Sequence, residues 1–538
     1  MQLIIDDQTV TARPGESVLQ CASRHSIGIP RLCSHSSLPA FGACRMCIVE
    51  IDGMRGYPAS CATPAAPGMV VRTNTEALRD LRRGILQLIL LEHPSACLVC
   101  DKHELCDEFR PAAAKAGRTT GCHTCNNKEV CDVRALADEL HLTELPVPPV
   151  YRNFPLERSD PFIDRDLNLC ILCGRCVRIC KAHHGRSTID FVGRGSQTHI
   201  GEAFGRSLSE AGCRFCGSCI DVCPTGSLAD RYAKWYGAPG RFTATTCTLC
   251  DAACAVTVHT SARKRAVMAR GVSTRVPICV LGRFAIPEFL NGVGRLKTPQ
   301  IRVGNRLREV PWAQALARAA EQLRPFVGNG FALICDTTNT LEDRYVFYKF
   351  TRDVMRSPHY FEIRPDERGV SRTGLPDGVR AALLTGQFID QARLQQLDLV
   401  IVQDCYATAA AEHAAVSFPV AVLSEVAGTW VDGDGRMRPL RKACDGPGAA
   451  KPDWQIITDL ARAMGETGFE YESAAAIARD VGAVGARLRI MRAEAPLAAT
   501  DPSRRRTHFR GHCLEDHVGG LSELSVAEPA LAAVAIGG

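Results

Sequence analysis

Two cysteine runs constrain this chain more than any other feature: CILCGRCVRIC at 170–180 and CRFCGSCIDVCP at 213–224, each spaced C-x2-C-x2-C-x3-C. Three thiolates so close in sequence reach one face of a four-iron cubane only through a tight loop. Where two such runs occur together, the fourth Cys of each ligates the other run's cluster. The spacing therefore assigns Cys170, Cys173, Cys176 and Cys223 to one [4Fe-4S] cluster, and Cys213, Cys216, Cys219 and Cys180 to a second. A pair of zinc knuckles competes with this reading, but zinc sites normally use paired C-x2-C units without a third and fourth Cys at fixed offsets. Two adjacent one-electron centres make a wire, and the rest of the chain has to say what lies at its ends.

Metal also accounts for the cysteine total. The chain has 27 Cys in 538 residues, and 22 of them fall between Cys33 and Cys279 in short groups of fixed spacing. That is sparser than a disulfide scaffold and far denser than an average cytosolic chain. Cys21, Cys335, Cys405, Cys444 and Cys513 are scattered singly and read as ordinary core thiols. The net charge of +6, on 64 basic and 58 acidic residues, is too small and too evenly spread to favour nucleic acid or an anionic membrane. The N-terminus, MQLIIDDQTVTARPGESV, has no basic region before an apolar core and no paired arginines, so a cytoplasmic location is expected. The longest apolar run, ILQLILLE at 85–92, is far shorter than the ~20 residues of a spanning helix, so any membrane link must go through partners.

At the N-terminus, residues 2–12 alternate as a hairpin turned at Asp6 and Asp7, and ESVLQCASRHS has helical spacing. Cys33, Cys44, Cys47 and Cys61 then follow as C-x10-C-x2-C-x13-C, with Gly42 where backbone amides must approach cluster sulfurs, which suits a [2Fe-2S] centre. Residues 1–78 resemble the β-grasp, plant-type ferredoxin domain that opens the large iron-sulfur subunit of respiratory complex I, iron-only hydrogenases and NAD-linked formate dehydrogenases. The run EHPSACLVCDKHELC at 92–106 strengthens that resemblance. Its H-x3-C-x2-C-x5-C spacing matches the family's His-plus-three-Cys site, which implies His93, Cys97, Cys100 and Cys106 as ligands of a [4Fe-4S] cluster. Zinc held by the same four residues is the alternative.

A second triad, Cys122, Cys125 and Cys131, repeats the C-x2-C-x5-C spacing, but Arg118 stands where the His is expected. His123, His141, an outside ligand, or sharing with Cys97 and Cys100 are the ways to complete it, around either a fifth [4Fe-4S] cluster or zinc. A Pro-rich stretch at 145–161 reads as an ordered linker into the two-cluster module. No G-x-G-x-x-G follows a strand anywhere, so NADH is not expected to bind this polypeptide.

Further on, Cys247, Cys250, Cys254 and Cys279 are spaced like the [4Fe-4S] domain that opens the molybdopterin oxidoreductases. In that family a Lys stands shortly after the last Cys, between cluster and pterin. Here Leu281 occupies the position, and an apolar side chain can neither hydrogen-bond a pterin nor place charge there. A helix is expected from about Pro311, with buried parallel strands at 331–336 and 397–408, but only about 60 residues separate those strands, one βαβαβ unit's worth. The late segment HAAVSFPVAVLSEVAGTWVDGDGRMRPL again resembles the family. The implied C-terminal domain is shortened and degenerate, with no Mo- or W-pterin expected. In the tail, His508, His512, Cys513 and His517 fit no known spacing and read as surface.

The fold class expected is multidomain α+β. In order it comprises a [2Fe-2S] ferredoxin-like domain (1–78), a His/Cys cluster domain with the extra triad (79–145), a two-cluster bacterial ferredoxin module (146–240), a molybdopterin-oxidoreductase-type [4Fe-4S] domain (241–300), a shortened α/β domain (301–495) and a tail (496–538). The cofactors expected are one [2Fe-2S] and four [4Fe-4S] clusters, with the extra triad undecided between a fifth [4Fe-4S] and zinc. By resemblance, the chain is an electron-transfer subunit between an NADH-oxidising flavin subunit, with its small [2Fe-2S] partner, and a terminal catalytic or quinone-reducing partner. That last partner would be a hydrogenase, a formate dehydrogenase, another reductase or a complex I-like arm. No residue of the chain is then catalytic. A molybdenum or tungsten catalytic α-subunit and a non-redox assembly scaffold are the alternatives, and an iron-only hydrogenase lacks a Cys set for its active-site cluster.

Overall fold

A computed structural model describes residues 1–100, 105, 121–122, 125, 127, 130–185, 187–233, 236, 239–250, 252–272, 277–328, 330–336, 338–363, 375–385, 391–432, 435–484, 518 and 520–521. The chain divides into two compact units, one centred on Met1–Ala238 and the other on Pro239–Val272 with Ile278–Val526. Cys106, Arg118, His123, His508, His512, Cys513 and His517 lie outside the described residues.

The first unit opens with the expected hairpin, β1 (Gln2–Ile5) against β2 (Gln8–Thr11), turned at Asp6 and Asp7 with φ of 46° and 64°. Short polar side chains tolerate this left-handed turn, whose twist matches that of the strands. Helix Val18–Arg24 starts at Ser17, which forms a reciprocal capping box with Gln20. It packs on a mixed sheet completed by β3 (Glu50–Ile51) and β4 (Val70–Arg72), in the order β2-β1-β4-β3. Leu3, Ile5 and Val10, the inward residues of the alternation, join Val18, Val49 and Val71 in its core.

The helix Glu76–Leu90 is tied to that domain by Arg82, fully buried, which donates to the carbonyls of Met46 (3.1 Å) and Ile48 (2.7 Å). Its other face, Leu86 and Leu90, meets Leu98 and the apolar side of helix Asp132–Glu139 (Val133, Leu136, Ala137). The segment with the paired cysteine runs follows, with β5 (Leu156–Glu157), β6 (Ile163–Asp166), helix Arg175–His184, the hairpin β7 (Asp190–Val192)/β8 (His199–Gly201), helix Ser218–Asp221 and β9 (Leu228–Asp230). Its two halves repeat each other's backbone. Gly174 and Gly217 both cap a helix at positive φ (64° and 70°), and two residues earlier Leu172 and Phe215 are also left-handed (52° and 47°).

The second unit starts as an antiparallel meander, β10 (Arg241–Thr246), β11 (Ala255–Thr260) and β12 (Ala266–Gly271). A wide helical turn at Leu281–Ala285 leads into helix Ile286–Leu290. Next come β13 (Gln300–Val303), β14 (Arg306–Glu309), helix Trp312–Leu323, β15 (Phe331–Asp336), β16 (Tyr360–Ile363), β17 (Ala381–Thr385), β18 (Leu399–Asp404) and β19 (Val416–Pro419). They form one sheet in the order β14-β13-β19-β18-β17-β15-β16, in which β15 to β19 are parallel. The two strands expected at 331–336 and 397–408 are β15 and β18, with β17 between them. Their largely apolar sequences reflect burial on both faces. Among the described residues no helix is long and apolar enough to cross a membrane.

Candidate metal centres

At the N-terminal site, Cys33, Cys47 and Cys61 are buried and Cys44 is half-buried. The amide of Cys33 donates to Cys44 Sγ (3.3 Å) and that of Cys44 to Cys33 Sγ (3.4 Å), while the Cys47 and Cys61 thiols stand within hydrogen-bonding reach. Gly42, at φ 72°, turns its amide onto Cys61, and Ala43 donates to Cys33. Amides aimed at sulfur stabilise charge on a cluster thiolate, and only a glycine loop brings them so close.

His93 is buried, and burial holds its imidazole neutral, with the pKa lowered to about 4. Nδ1 faces the Pro94 carbonyl at 3.2 Å; a carbonyl only accepts, so Nδ1 carries the proton and Nε2 presents a lone pair. This is how a metal-binding imidazole is oriented. Cys97 and Cys100 are half-buried nearby in sequence. Of the second triad, Cys122 lies with its thiol in hydrogen-bonding reach of Cys97, and Cys125 and Cys131 are half-buried. His141 is exposed, past the end of helix Asp132–Glu139.

The paired runs are gathered crosswise. Cys170, Cys173, Cys176 and Cys223 line a single apolar cavity with Ile171 and Pro224. Burial raises all six of these thiols, and Cys223 adds to the rise at Cys170, Cys173 and Cys176, Cys180 at Cys213, Cys216 and Cys219. Equivalent amides serve equivalent sulfurs: Leu172 donates to Cys170 and Phe215 to Cys213, both at 3.4 Å. Thr188 donates to Cys180 (3.4 Å), and His184 Nε2 lies 3.5 Å from Cys216 Sγ. Burial pushes the Cys176 and Cys219 thiols well above the usual range. Such sulfurs carry charge only beside a compensating cation, which is the chemistry an iron cluster supplies.

In the second unit the amide of Cys247 donates to the Cys254 carbonyl (2.9 Å), and Cys250, Cys254 and Cys279 all act on the Cys247 thiol, which burial raises strongly. The amides of Leu281 and Gly282 point at Cys279, so the backbone there serves the sulfur while the Leu281 side chain is buried and uncharged. At the carboxyl ends of the parallel strands a polar network runs from Thr385 to Asn339 (3.0 Å), Asn339 to Asp453 (3.1 Å) and Gln403 to Asp453 (2.6 Å). Cys21, Cys335, Cys405 and Cys444 are buried, as expected of core thiols.

The Cys97–Cys122 contact falls within the sharing between triads that the sequence left open, although spacing alone did not single out that pair. One feature escaped sequence reasoning: Arg178, between two ligand candidates, which reaches the Cys33 carbonyl, donates to the Pro39 carbonyl (2.7 Å) and stacks on Phe41 at 4.7 Å. Nothing in an R-x-C spacing announces such a clamp.

Comparison with known proteins places families along the chain. Residues 1–76 match the 2Fe-2S iron-sulfur cluster binding domain, 82–107 the NADH-ubiquinone oxidoreductase-G iron-sulfur binding region, 160–229 the ferredoxin-like domain of NADH-quinone oxidoreductase subunit 3, and 361–463 the molybdopterin oxidoreductases. Similar curated proteins include the G 2 subunit of the NADH-quinone oxidoreductase of Rhizobium meliloti, 32% identical over 66% of this chain and 39% of the relative. The alpha subunit of an NADPH-Fe(3+) oxidoreductase of Geobacter sulfurreducens is 30% identical over 66% and 39%, and NADH-quinone oxidoreductase subunit 3 of Thermus thermophilus is 30% identical over 66% and 46%. The matched region thus spans less than half the length of each of these relatives.

Proposed function

As a homologue of the G and 3 subunits of NADH-quinone oxidoreductases, carrying 2Fe-2S, 4Fe-4S and molybdopterin-oxidoreductase-like domains in a mixed α/β architecture, the chain, we propose, is the iron-sulfur electron-transfer subunit of an NADH-linked multi-subunit oxidoreductase. Electrons enter from a flavin subunit that oxidises NADH, with its small [2Fe-2S] partner, and leave to a terminal catalytic or quinone-reducing partner. In this reading the domains run in the order and with the bounds given above, from a β-grasp ferredoxin to a degenerate α/β domain that would hold no pterin.

In this reading Cys33, Cys44, Cys47 and Cys61 hold a [2Fe-2S] cluster. The crossed sets Cys170/Cys173/Cys176/Cys223 and Cys213/Cys216/Cys219/Cys180 hold two [4Fe-4S] clusters, and Cys247/Cys250/Cys254/Cys279 hold another. His93 anchors one more among Cys97, Cys100 and Cys106, beside the Cys122, Cys125 and Cys131 triad. Bound clusters supply one-electron chemistry, and no bond is made or broken in the substrate on this chain. The protein's own part is to hold thiolates, aim amides at sulfur and exclude water with apolar walls. The observation that carries the reading is the crossed gathering of the paired runs, with Cys176 and Cys180 one turn apart on helix Arg175–His184.

The molybdopterin-oxidoreductase match at 361–463 favours the catalytic alternative, a Mo- or W-dependent subunit. Two observations oppose it. Leu281 offers no charge beyond Cys279, and a hydrogen-bonded network around Asp453 occupies strand ends where a doubly wound sheet receives ligands. Elemental analysis of the anaerobically purified chain separates the two. About 18 Fe per chain is expected from one [2Fe-2S] and four [4Fe-4S] clusters, or about 22 with a further cluster, and no Mo or W. Stoichiometric Mo or W would make the chain the catalytic subunit.

A further inference from the structure

The second cysteine triad is built into the two-cluster segment far more thoroughly than a surface ornament requires. Cys125 packs so tightly on Gly226 that a Cβ there would stand 2.3 Å from its sulfur. Asn127 donates its side-chain amide to the Thr225 carbonyl (2.8 Å), and the amide of Asp132 donates to the Pro224 carbonyl (2.9 Å). The Asp132 carboxylate pairs with Arg175 at 2.8 Å, and the same guanidinium reaches the Val222 carbonyl (3.4 Å). Every one of these contacts falls on the 222–226 loop, which carries Cys223, or on the helix that carries Cys176.

The triad also carries the backbone signature of the other sites. The amide of Asn127 serves the Cys125 sulfur in the i to i+2 pattern found at Cys170 and Cys213, and the Val133 and Arg134 amides at the start of helix Asp132–Glu139 serve Cys131. Cys122 folds back so that its amide-bonded turn to Cys125 (2.9 Å) leaves its thiol against Cys97. His141, by contrast, points to solvent from beyond the helix.

We propose that Cys97, Cys122, Cys125 and Cys131 together hold a [4Fe-4S] cluster of their own, seated on the 222–226 loop and feeding the Cys170/Cys173/Cys176/Cys223 cluster. His93 is then left with Cys100 and Cys106 for the neighbouring centre. The assignment rests on the electron-transfer reading above. One electron, drawn from the NADH-oxidising flavin partner, leaves this site as its cluster is oxidised by one equivalent, and the Cys170/Cys173/Cys176/Cys223 cluster is reduced by one. No proton or group moves.

The test uses the full chain, purified anaerobically, with Fe and Zn content and low-temperature EPR of dithionite-reduced samples. Visible circular dichroism of the [2Fe-2S] centre serves as the fold check. Cys97→Ala and Cys125→Ala are each expected to lose the same EPR signal and about four Fe, and His93→Ala to retain that signal. Gly226→Ala removes no ligand, yet it is expected to shift or weaken the same signal by displacing Cys125. The proposal is overturned if Cys97→Ala and His93→Ala lose one signal together while Cys125→Ala loses another or none. It is equally overturned if one Zn per chain disappears in Cys125→Ala, an outcome that leaves the electron-transfer reading standing. A chain in which dithionite reduces no cluster at all would sink both.

Discussion

A cluster ligand is defined by what surrounds its sulfur, and so is a buried acid. Asp404, at the end of β18, is buried, and desolvation raises its carboxyl from 3.8 to about 6 against the amides of Cys405 and Tyr406 that it accepts. The folded state therefore holds a proton that the unfolded chain releases earlier. The associated stability is complete below pH 3.8 and is lost as pH rises through about 6. At pH 7.5 the ionised group costs about 3 kcal/mol relative to its neutral form. Asp404→Asn keeps the acceptor and removes the charge, so the second unit should gain roughly 2–3 kcal/mol in urea unfolding at pH 7.5, with a smaller gain at pH 5. A variant no more stable than the parent at pH 7.5 would refute this account of the site. The candidate ligands stood out in the sequence because cluster motifs are written largely in short, fixed spacings. Sharing between the two triads was one of several options the spacing left open, and nothing local singles out the Cys97–Cys122 pair.

At the scale of elements, helix Arg175–His184 does more than present Cys176 and Cys180. Arg178 bonds the carbonyls of Cys33 and Pro39 and stacks on Phe41, while Phe41 and Phe191 close over Gly174, where an added Cβ would meet Phe191 Cζ at 3.0 Å. The loop that presents Cys33 is thereby fastened to the helix that presents Cys176. Two hydrogen bonds and one cation–π contact amount to about 2–3 kcal/mol of docking. Arg178→Ala should accordingly speed amide exchange across residues 33–44 by roughly 10- to 100-fold, with the content of every cluster unchanged. Exchange as slow as in the parent chain would mean the loop is held by something else. The hairpin, the capped helix at Ser17 and the strands β15 and β18 were foreseeable from alternation, capping residues and apolar runs. The clamp and the seven-strand order were not, since both depend on pairings between segments far apart in sequence, on which periodicity is silent.

For the whole molecule, the division into two units separates one cysteine set from the rest, since Cys247, Cys250, Cys254 and Cys279 all belong to the second. Cys247→Ala is expected to lower iron by about four atoms per chain while the reductive titration of the remaining centres is unaltered. Collapse of the [2Fe-2S] or paired-run signals in that variant would show that the two units are not independent. The paired-run centres are bound by the opposite rule. Cys176 and Cys180 share one helix, about 6 Å apart along its axis, so in the proposed reading the helix itself fixes the gap between the clusters they would hold. In the proposed function such a pair would act as a reservoir of two equivalents, filled singly by a flavin and emptied together into a partner whose chemistry needs both.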